Sequence, residues 1–254
     1  MMSQPRSWPS YAQASTLARE SVAAITLATE RRALGAPLAY AVRSAQFRQL
    51  LLYVDERVLI PRPETEYLID RVLATEQGRA GGMAVDVGTG SGAIALALAC
   101  ETQFSRVIAT DVSADALAVA RENARRHAEA LAATVEFRAG DALTPLDDLL
   151  GLVDIVVSNP PYIAFGELSS LPESVRDWEP TLALVCPDDG LAVTRAIVAG
   201  GGRLLRAGGL LAFETDVQRS RRVAQMVVDD GSFDDVRALQ DLAGRERYVL
   251  ATRR

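Results

Sequence analysis

The sequence predicts an α/β domain on a mostly parallel seven-stranded sheet, closed by an antiparallel C-terminal hairpin and preceded by a small helical and hairpin appendage. Three observations carry this prediction. From Gly82 onward short apolar runs alternate with helical stretches, the pattern of a parallel sheet covered on both faces. "VDVGTGSGAIALALA" (85–99) passes from a strand through three alternate glycines into a helix. Near the end, two β-prone runs are joined by the short polar link "QDLAGRE", which leaves no room for a crossover helix and requires antiparallel pairing.

Taken in order, residues 10–34 hold no glycine or internal proline, space Leu17, Val22, Ile25 and Leu27 helically, and stop at Gly35, which predicts an amphipathic helix. Phe47 to Val54 is apolar and β-prone. "LIPRPETE" (59–66) breaks it: two prolines flank Arg62 in an extended connector, and Glu64, Thr65 and Glu66 open an acidic helix start running to about Glu76. Residues 1–60 therefore read as the appendage and 61–254 as the main domain. The main strands are expected at Met83–Val87, Arg106–Thr110, Thr134–Arg138, Val153–Val157, Gly209–Phe213, Phe233–Leu239 and Arg247–Thr252, with intervening helices starting near Gly92, Ser113, Asp188 and Asp216.

At 254 residues, 49% hydrophobic and 24% charged, the chain suits one large domain with an appendage. Its longest central apolar stretch, Ala93 to Cys100, falls far short of the ~20 residues of a membrane span, and "MMSQPRSWPS" has no apolar leader core, so a cytoplasmic location is expected and no membrane partner. Cys100, Cys186 and the lone His127 share no ligand spacing, which predicts core thiols and no metal site. All 27 basic residues are arginine, yet the net charge is -6, a poor match for a phosphate backbone; nucleic acid is disfavoured as a partner.

The glycine loop is the first candidate site. Gly88, Thr89, Gly90, Ser91 and Gly92 let the backbone approach a ligand at a helix N-terminus. Gly88, Gly90 and Ala93 also fit a dinucleotide pattern, and Asp111 at the end of the next strand could hold a ribose in either case. Asp86 separates the two: a carboxylate there repels a pyrophosphate but suits the positive amino and sulfonium groups of S-adenosyl-L-methionine. Asp111 would take both ribose hydroxyls. Asp141 and Ala142 in "GDAL" stand where an adenine edge could be read, although Asp141 serves equally well as a turn former.

"SNPPYI" (158–163) is the second. It ends the fourth strand of the main domain, so in an open parallel sheet it faces the same crevice as the glycine loop. Pro160 keeps Asn159 extended, and Pro161 does the same to Pro160. The Asn159 side-chain oxygen and the Pro160 carbonyl are thereby held at a set separation, suited to the two N–H bonds of a planar NH2 group, with Tyr162 free to stack on it. Such chemistry works by orientation and electrostatics and requires no tuned acid or base.

These residues resemble the PrmC/HemK family of protein-(glutamine-N5) methyltransferases. "NPPY" is shared with enzymes that methylate adenine; "VLIPRPETE" (58–66), "WEPTLAL" (178–184), the "DDG" at 188–190 and "DLAGRERYV" (241–249) are specific to the glutamine enzymes, and the likeness covers residues 31–254. It implies a Rossmann-like class I S-adenosylmethionine-dependent fold, and methyl transfer to the GGQ glutamine of a peptide chain release factor. It further implies cofactor binding by Gly88 to Gly92, Asp111 and Ala142, and substrate binding by Asn159, Pro160, Pro161 and Tyr162. Arg62 and Glu64 would stand beside the active site, in packing or contact. Other readings are an adenine-N6 or other nitrogen methyltransferase and a non-catalytic, translation-associated S-adenosylmethionine-binding protein. Two departures stand out. Only about thirty residues precede "RRALGAPLAYAV", where the family usually has a bundle of several helices, which points to a reduced surface for the release factor. "FETDVQ" (213–218) keeps Glu214 and Gln218 but puts Thr215-Asp216 where the family commonly has Ile-Gly, with an expected change in that loop.

Overall fold

The computed structural model describes residues 19–254. The expected first helix is present as α1 (Arg19–Ala33); its beginning, with Leu17, lies outside the described residues. Gly35 stops it at φ 97°, with its N–H on Arg32 O, as the glycine predicted. The apolar stripe is not buried, however: Val22, Ile25 and Leu27 are each about half exposed. The short α2 (Leu38–Val42) follows, then a tight hairpin of β1 (Ala45–Phe47) and β2 (Leu50–Leu52). The apolar run from Phe47 is thus broken at Arg48, which takes φ 51° and binds Glu101 (2.6 Å) and Asp70 (2.8 Å).

The connector leads into α3 (Pro63–Leu73), where Pro63 sits in the first turn and its missing N–H costs nothing. The chain then runs α4 (Glu76–Ala80), β3 (Gly82–Val87), α5 (Ala93–Glu101), β4 (Phe104–Asp111), α6 (Ala114–Arg126), β5 (Thr134–Ala139) and β6 (Val153–Ser158). Three short helical turns, α7 (Glu173–Arg176), α8 (Thr181–Leu184) and α9 (Pro187–Gly190), precede α10 (Ala192–Leu204), β7 (Leu205–Glu214), α11 (Ser220–Asp230), β8 (Phe233–Gln240) and β9 (Glu246–Arg253). All seven expected strands of this sheet are present.

The sheet order is β5-β4-β3-β6-β7-β9-β8, parallel from β5 to β7 and antiparallel at β9 and β8. Alternate side chains of each strand serve opposite cores. Ala84, Ile155, Ala212 and Leu250 join α3 and α5 on one face; Val85, Val156, Leu211 and Val249 join α10 and α11 on the other. Helix α5 is apolar all round, Ala93 to Ala99 being buried throughout, because it is enclosed between the strands β3, β4 and β5 and helix α3. Tyr40, Phe47, Leu52 and Val58 from the N-terminal segment belong to that same core. Among the described residues no helix is long and apolar enough to cross a membrane, and no cluster of His, Cys, Asp and Glu could hold a metal ion. Cys100 is half-buried and Cys186 buried, both as free thiols.

Candidate active site: two cavities and a shared wall

Strand order reverses between β3 and β6, since β4 lies on one side of β3 and β6 on the other; loops at the carboxyl ends of these strands flank a crevice. Val87 and Ser158 are register partners, and Ser158 Oγ donates to Val87 O at 2.7 Å. Gly88 and Asn159 consequently leave the sheet side by side.

Two cavities open there. The first, about 340 Å³, is lined by Gly88, Gly90, Asp111, Asp141 and Ala142, with Val58, Leu182 and Val193 among its apolar walls. The second, about 460 Å³, is lined by Arg62, Pro160, Tyr162, Gln218 and Arg247. Leu59, Asn159, Pro161 and Ala183 line both, so the NPPY turn is the wall between them.

In the first cavity the loop takes φ 74°, 55° and 85° at Gly88, Gly90 and Gly92, which glycine adopts without strain. A Cβ at Gly88 or Gly90 would meet nothing within 4 Å, so these two leave open space rather than serve the chain's own packing. A Cβ at Gly92 would press on Ala120 of α6 at 3.3 Å. Asp111 lies across the loop, accepting from Gly90 N and Ser113 N at 2.9 Å each, and burial raises its carboxyl. Each of its oxygens keeps a second lone pair for another donor. Ala142 holds φ 47° and its carbonyl accepts from Thr110 Oγ1 at 3.3 Å; Asp141 is exposed at the rim, its carbonyl closing the turn to Thr144 N.

Asp86 is placed differently from the direct contact expected of it. It shares a face of β3 with Ala84, beneath α5, and lies wholly buried under the loop instead of lining the cavity. Its Oδ2 accepts from Thr89 Oγ1 (2.6 Å) and Ala95 N (3.1 Å), while Oδ1 has no partner. Burial pushes its carboxyl up to about 7. Thr89 and Ser91 are likewise buried and, with Gly92, stand outside the cavity lining; Ser91 O accepts from Asn123 Nδ2. The helix N-terminus expected to offer free N–H groups is therefore partly satisfied from inside by Asp86. The donor set still fits S-adenosyl-L-methionine: a glycine floor with room above it, a carboxylate facing the ribose position, apolar walls for a base, and an orphaned buried carboxylate oxygen beneath the positive end.

In the second cavity Asn159 and Tyr162 are part-buried and Pro160 is buried. Asn159 Nδ2 donates to Thr65 Oγ1 (3.1 Å), which donates to Glu214 Oε2 (2.7 Å). Burial lifts Glu214 to about 7; burial, then the Glu214 charge, push the Tyr162 hydroxyl up to about 12. "WEPTLAL" and "LIPRPETE" meet here: Arg62 pairs with buried Glu179, whose Oε2 also accepts from Ile60 N at 3.2 Å. Burial raises the Glu179 carboxyl even so. "DDG" has its own reason. Gly190, at φ 82°, packs so tightly on Tyr162 that a Cβ would lie 2.1 Å from the Tyr162 carbonyl oxygen. At the family departure, Asp216 Oδ1 accepts from Gln218 N and Arg219 N, fastening the turn before α11; its backbone is not left-handed, so glycine is not required there.

Residues 64–170 match the methyltransferase small domain family. The release factor glutamine methyltransferase of Mycolicibacterium smegmatis is 44% identical over 92% of this chain and 81% of its own length; that of Moorella thermoacetica is 44% identical over 89% and 78%. The chain belongs to the release factor glutamine methyltransferase family. Among solved structures, a methyltransferase from Pyrococcus furiosus superposes with a TM-score of 0.56 at 18% identity, over 92% of this chain and 98% of that one, a likeness of fold.

For this family member, reading the residues in sequence missed Thr65 as a partner of the NPPY turn and Glu214 as the group behind it. A charged residue closing the apolar run Leu210–Phe213 was the available signal: burying a carboxylate there costs free energy unless something pairs with it. Arg247, in the second cavity, lay inside the quoted "DLAGRERYV" but carried no sign of facing the site.

Proposed function

We propose that the protein transfers a methyl group from S-adenosyl-L-methionine to the side-chain amide nitrogen (N5) of the GGQ glutamine in a peptide chain release factor. One observation carries the reading: Asn159 and Pro161 form the wall between a cavity suited to the cofactor and a second one suited to a side chain. The high identity to relatives named for this activity supports it.

In this reading Gly88 and Gly90 floor the cofactor, Asp111 takes its ribose hydroxyls and Ala142 lies by the base. Asp86, Thr89, Ser91 and Gly92 shape the loop from below, and Asp141 guards the rim. Bound S-adenosyl-L-methionine would supply an electrophilic methyl on a cationic sulfur and leave as a neutral thioether. Asn159 Oδ1 and the Pro160 carbonyl accept the two amide hydrogens, which turns the nitrogen face toward that methyl. Both oxygens also stabilise the positive charge that grows on nitrogen as the new bond forms, Pro161 keeps them from having to reorganise, and one of the two gripped protons then leaves to solvent, so that the product is a neutral N-methyl amide. Tyr162, held neutral, offers its ring to the flat amide. Residues 1–60 would form the appendage and 61–254 the catalytic domain, with Arg62 and Glu179 fixing the junction; a cytoplasmic location follows from such a substrate.

The test is incubation with methyl-labelled S-adenosyl-L-methionine and a release factor, with the label mapped by mass spectrometry. A methyl on the GGQ glutamine is expected; label that never reaches it overturns the proposal.

A further inference from the structure

We propose that Thr65 and Glu214 are positioning residues that set the polarity of the Asn159 side-chain amide, so that its oxygen and not its NH2 faces the acceptor cavity. The inference rests on the reading that Asn159 grips the substrate amide.

An asparagine amide can turn over with little change of shape, and its two ends do opposite things: oxygen accepts, NH2 donates. Only the oxygen can grip an N–H of the incoming amide. Nothing in "NPPY" itself decides between the two orientations, because the prolines fix the backbone and leave the terminal torsion free. The decision is made behind the wall. A threonine hydroxyl has one proton, and an ionised carboxylate can only accept. Glu214 Oε2 lies 2.7 Å from Thr65 Oγ1, so while Glu214 is charged the hydroxyl proton points to it. Thr65 Oγ1 can then only accept from Asn159, 3.1 Å away, which draws Nδ2 inward and leaves Oδ1 for the cavity. Three residues brought together by the fold, from α3, from the turn after β6 and from the end of β7, thus form a one-way hydrogen-bond chain.

The chain can be reversed. A protonated Glu214 has a proton of its own to donate to Thr65 Oγ1; the threonine proton is released to point at Asn159, and the amide is no longer held one way. Glu214 is 1% exposed, and burial lifts its carboxyl to about 7. Around it stand Glu64 on α3, whose charge favours the protonated form, and Arg62 and Arg247, whose charges favour the ionised one. Tyr248, paired with Glu214 across β7 and β9, and Tyr162 are kept neutral by burial and by this same carboxylate. Turnover at saturating cofactor should therefore fall as pH drops through about 7.

The experiment compares wild type, Thr65→Val, Thr65→Ser, Glu214→Gln and Asn159→Ala, with a release factor as acceptor and labelled S-adenosyl-L-methionine. It reads kcat and KM against pH, cofactor Kd by calorimetry and Tm. Thr65→Val, which keeps shape but breaks the chain, is expected to lose roughly tenfold or more in kcat with cofactor Kd within about twofold, and Thr65→Ser to recover most of it. Glu214→Gln should lose the acid limb, since neither end of its amide changes with pH; if it turns over too slowly for a profile while its Tm and cofactor Kd are retained, that also supports the assignment. Wild-type kcat in Thr65→Val, an unchanged acid limb in Glu214→Gln, or no acid limb in wild type overturns it. Should Thr65→Val fail to fold, the Thr65→Ser and Glu214→Gln profiles decide. Asn159→Ala separates the two levels: if it turns over normally the grip itself is wrong, whereas an inactive Asn159→Ala beside a normal Thr65→Val removes only the positioning role.

Discussion

The two cavities on either side of the NPPY wall are built in different ways. The cofactor side is set out at strand ends: the glycine loop after β3, the carboxylate that ends β4 and the "GDAL" turn after β5 stand side by side because the sheet aligns them. The acceptor side is largely side chains gathered from distant segments, with Arg62 reaching Glu179, Asn159 reaching Thr65, and Arg247 arriving from the last strand. A surface made of strand ends inherits its precision from the ladder of the sheet. One made of distant side chains has to be held by buried hydrogen bonds, and is correspondingly easier to break.

The largest effect should therefore come from the wall itself. Asn159→Ala removes one of the two amide acceptors and should lower kcat roughly 100- to 1000-fold, ~2.7–4 kcal/mol of barrier, with cofactor Kd within a few fold. Radiolabel turnover and calorimetry check it; wild-type-like turnover would refute the proposed grip. Gly190→Ala tests how the wall is supported, because the new methyl would both strain a φ of 82° and collide with the Tyr162 carbonyl. Thermal unfolding should show a loss of about 2–4 kcal/mol, with turnover reduced beyond what the unfolded fraction explains.

On the cofactor side a single side chain matters less, since the glycine loop and several apolar walls share the surface with it. Asp111→Ala should raise cofactor Kd by about ten- to a hundredfold, the worth of one or two hydrogen bonds to a charged group, while kcat at saturation changes little. A calorimetric titration identical to wild type would take Asp111 out of the site. The smallest effect is on stability against pH. Asp86 is lifted from 3.8 to about 7 by burial, so the fold favours its protonated form. Its contribution is fully present below the unfolded value and is lost as pH rises through about 7, because over that window the folded chain holds a proton that the unfolded chain has released. Denaturant unfolding of Asp86→Asn should accordingly lose less stability than wild type between those two pH values; equal slopes would show that Asp86 is not the group responsible.

Much of this was legible in the linear sequence. Strand and helix alternation located the sheet, and the polar link at 240–246 required the antiparallel ending, because a parallel return has a minimum length. Reading along the strands failed where it had to assign a direction to a side chain. Asp86 looked like a cofactor contact by its distance from Gly88, but the twofold alternation of β3 puts it with Ala84 under α5. Thr89 and Ser91 followed it inward. The stripe of α1 failed in the opposite sense: its spacing is helical, yet Val22, Ile25 and Leu27 face solvent among the described residues, for periodicity predicts an apolar face without supplying a surface to cover it.

The sequence by itself determined the fold class, the sites of the two motifs and their nearness to one another, because local backbone preference and hydrophobic period are properties of neighbouring residues. Only the tertiary structure decided which way the functional groups point. Thr65 and Glu214 are separated by 149 residues, and neither has a reason to touch Asn159 until α3 packs beside the end of β7. Hydrogen-bond polarity is a property of that encounter: a buried carboxylate must find a donor, and the donor it finds fixes what the next group can do.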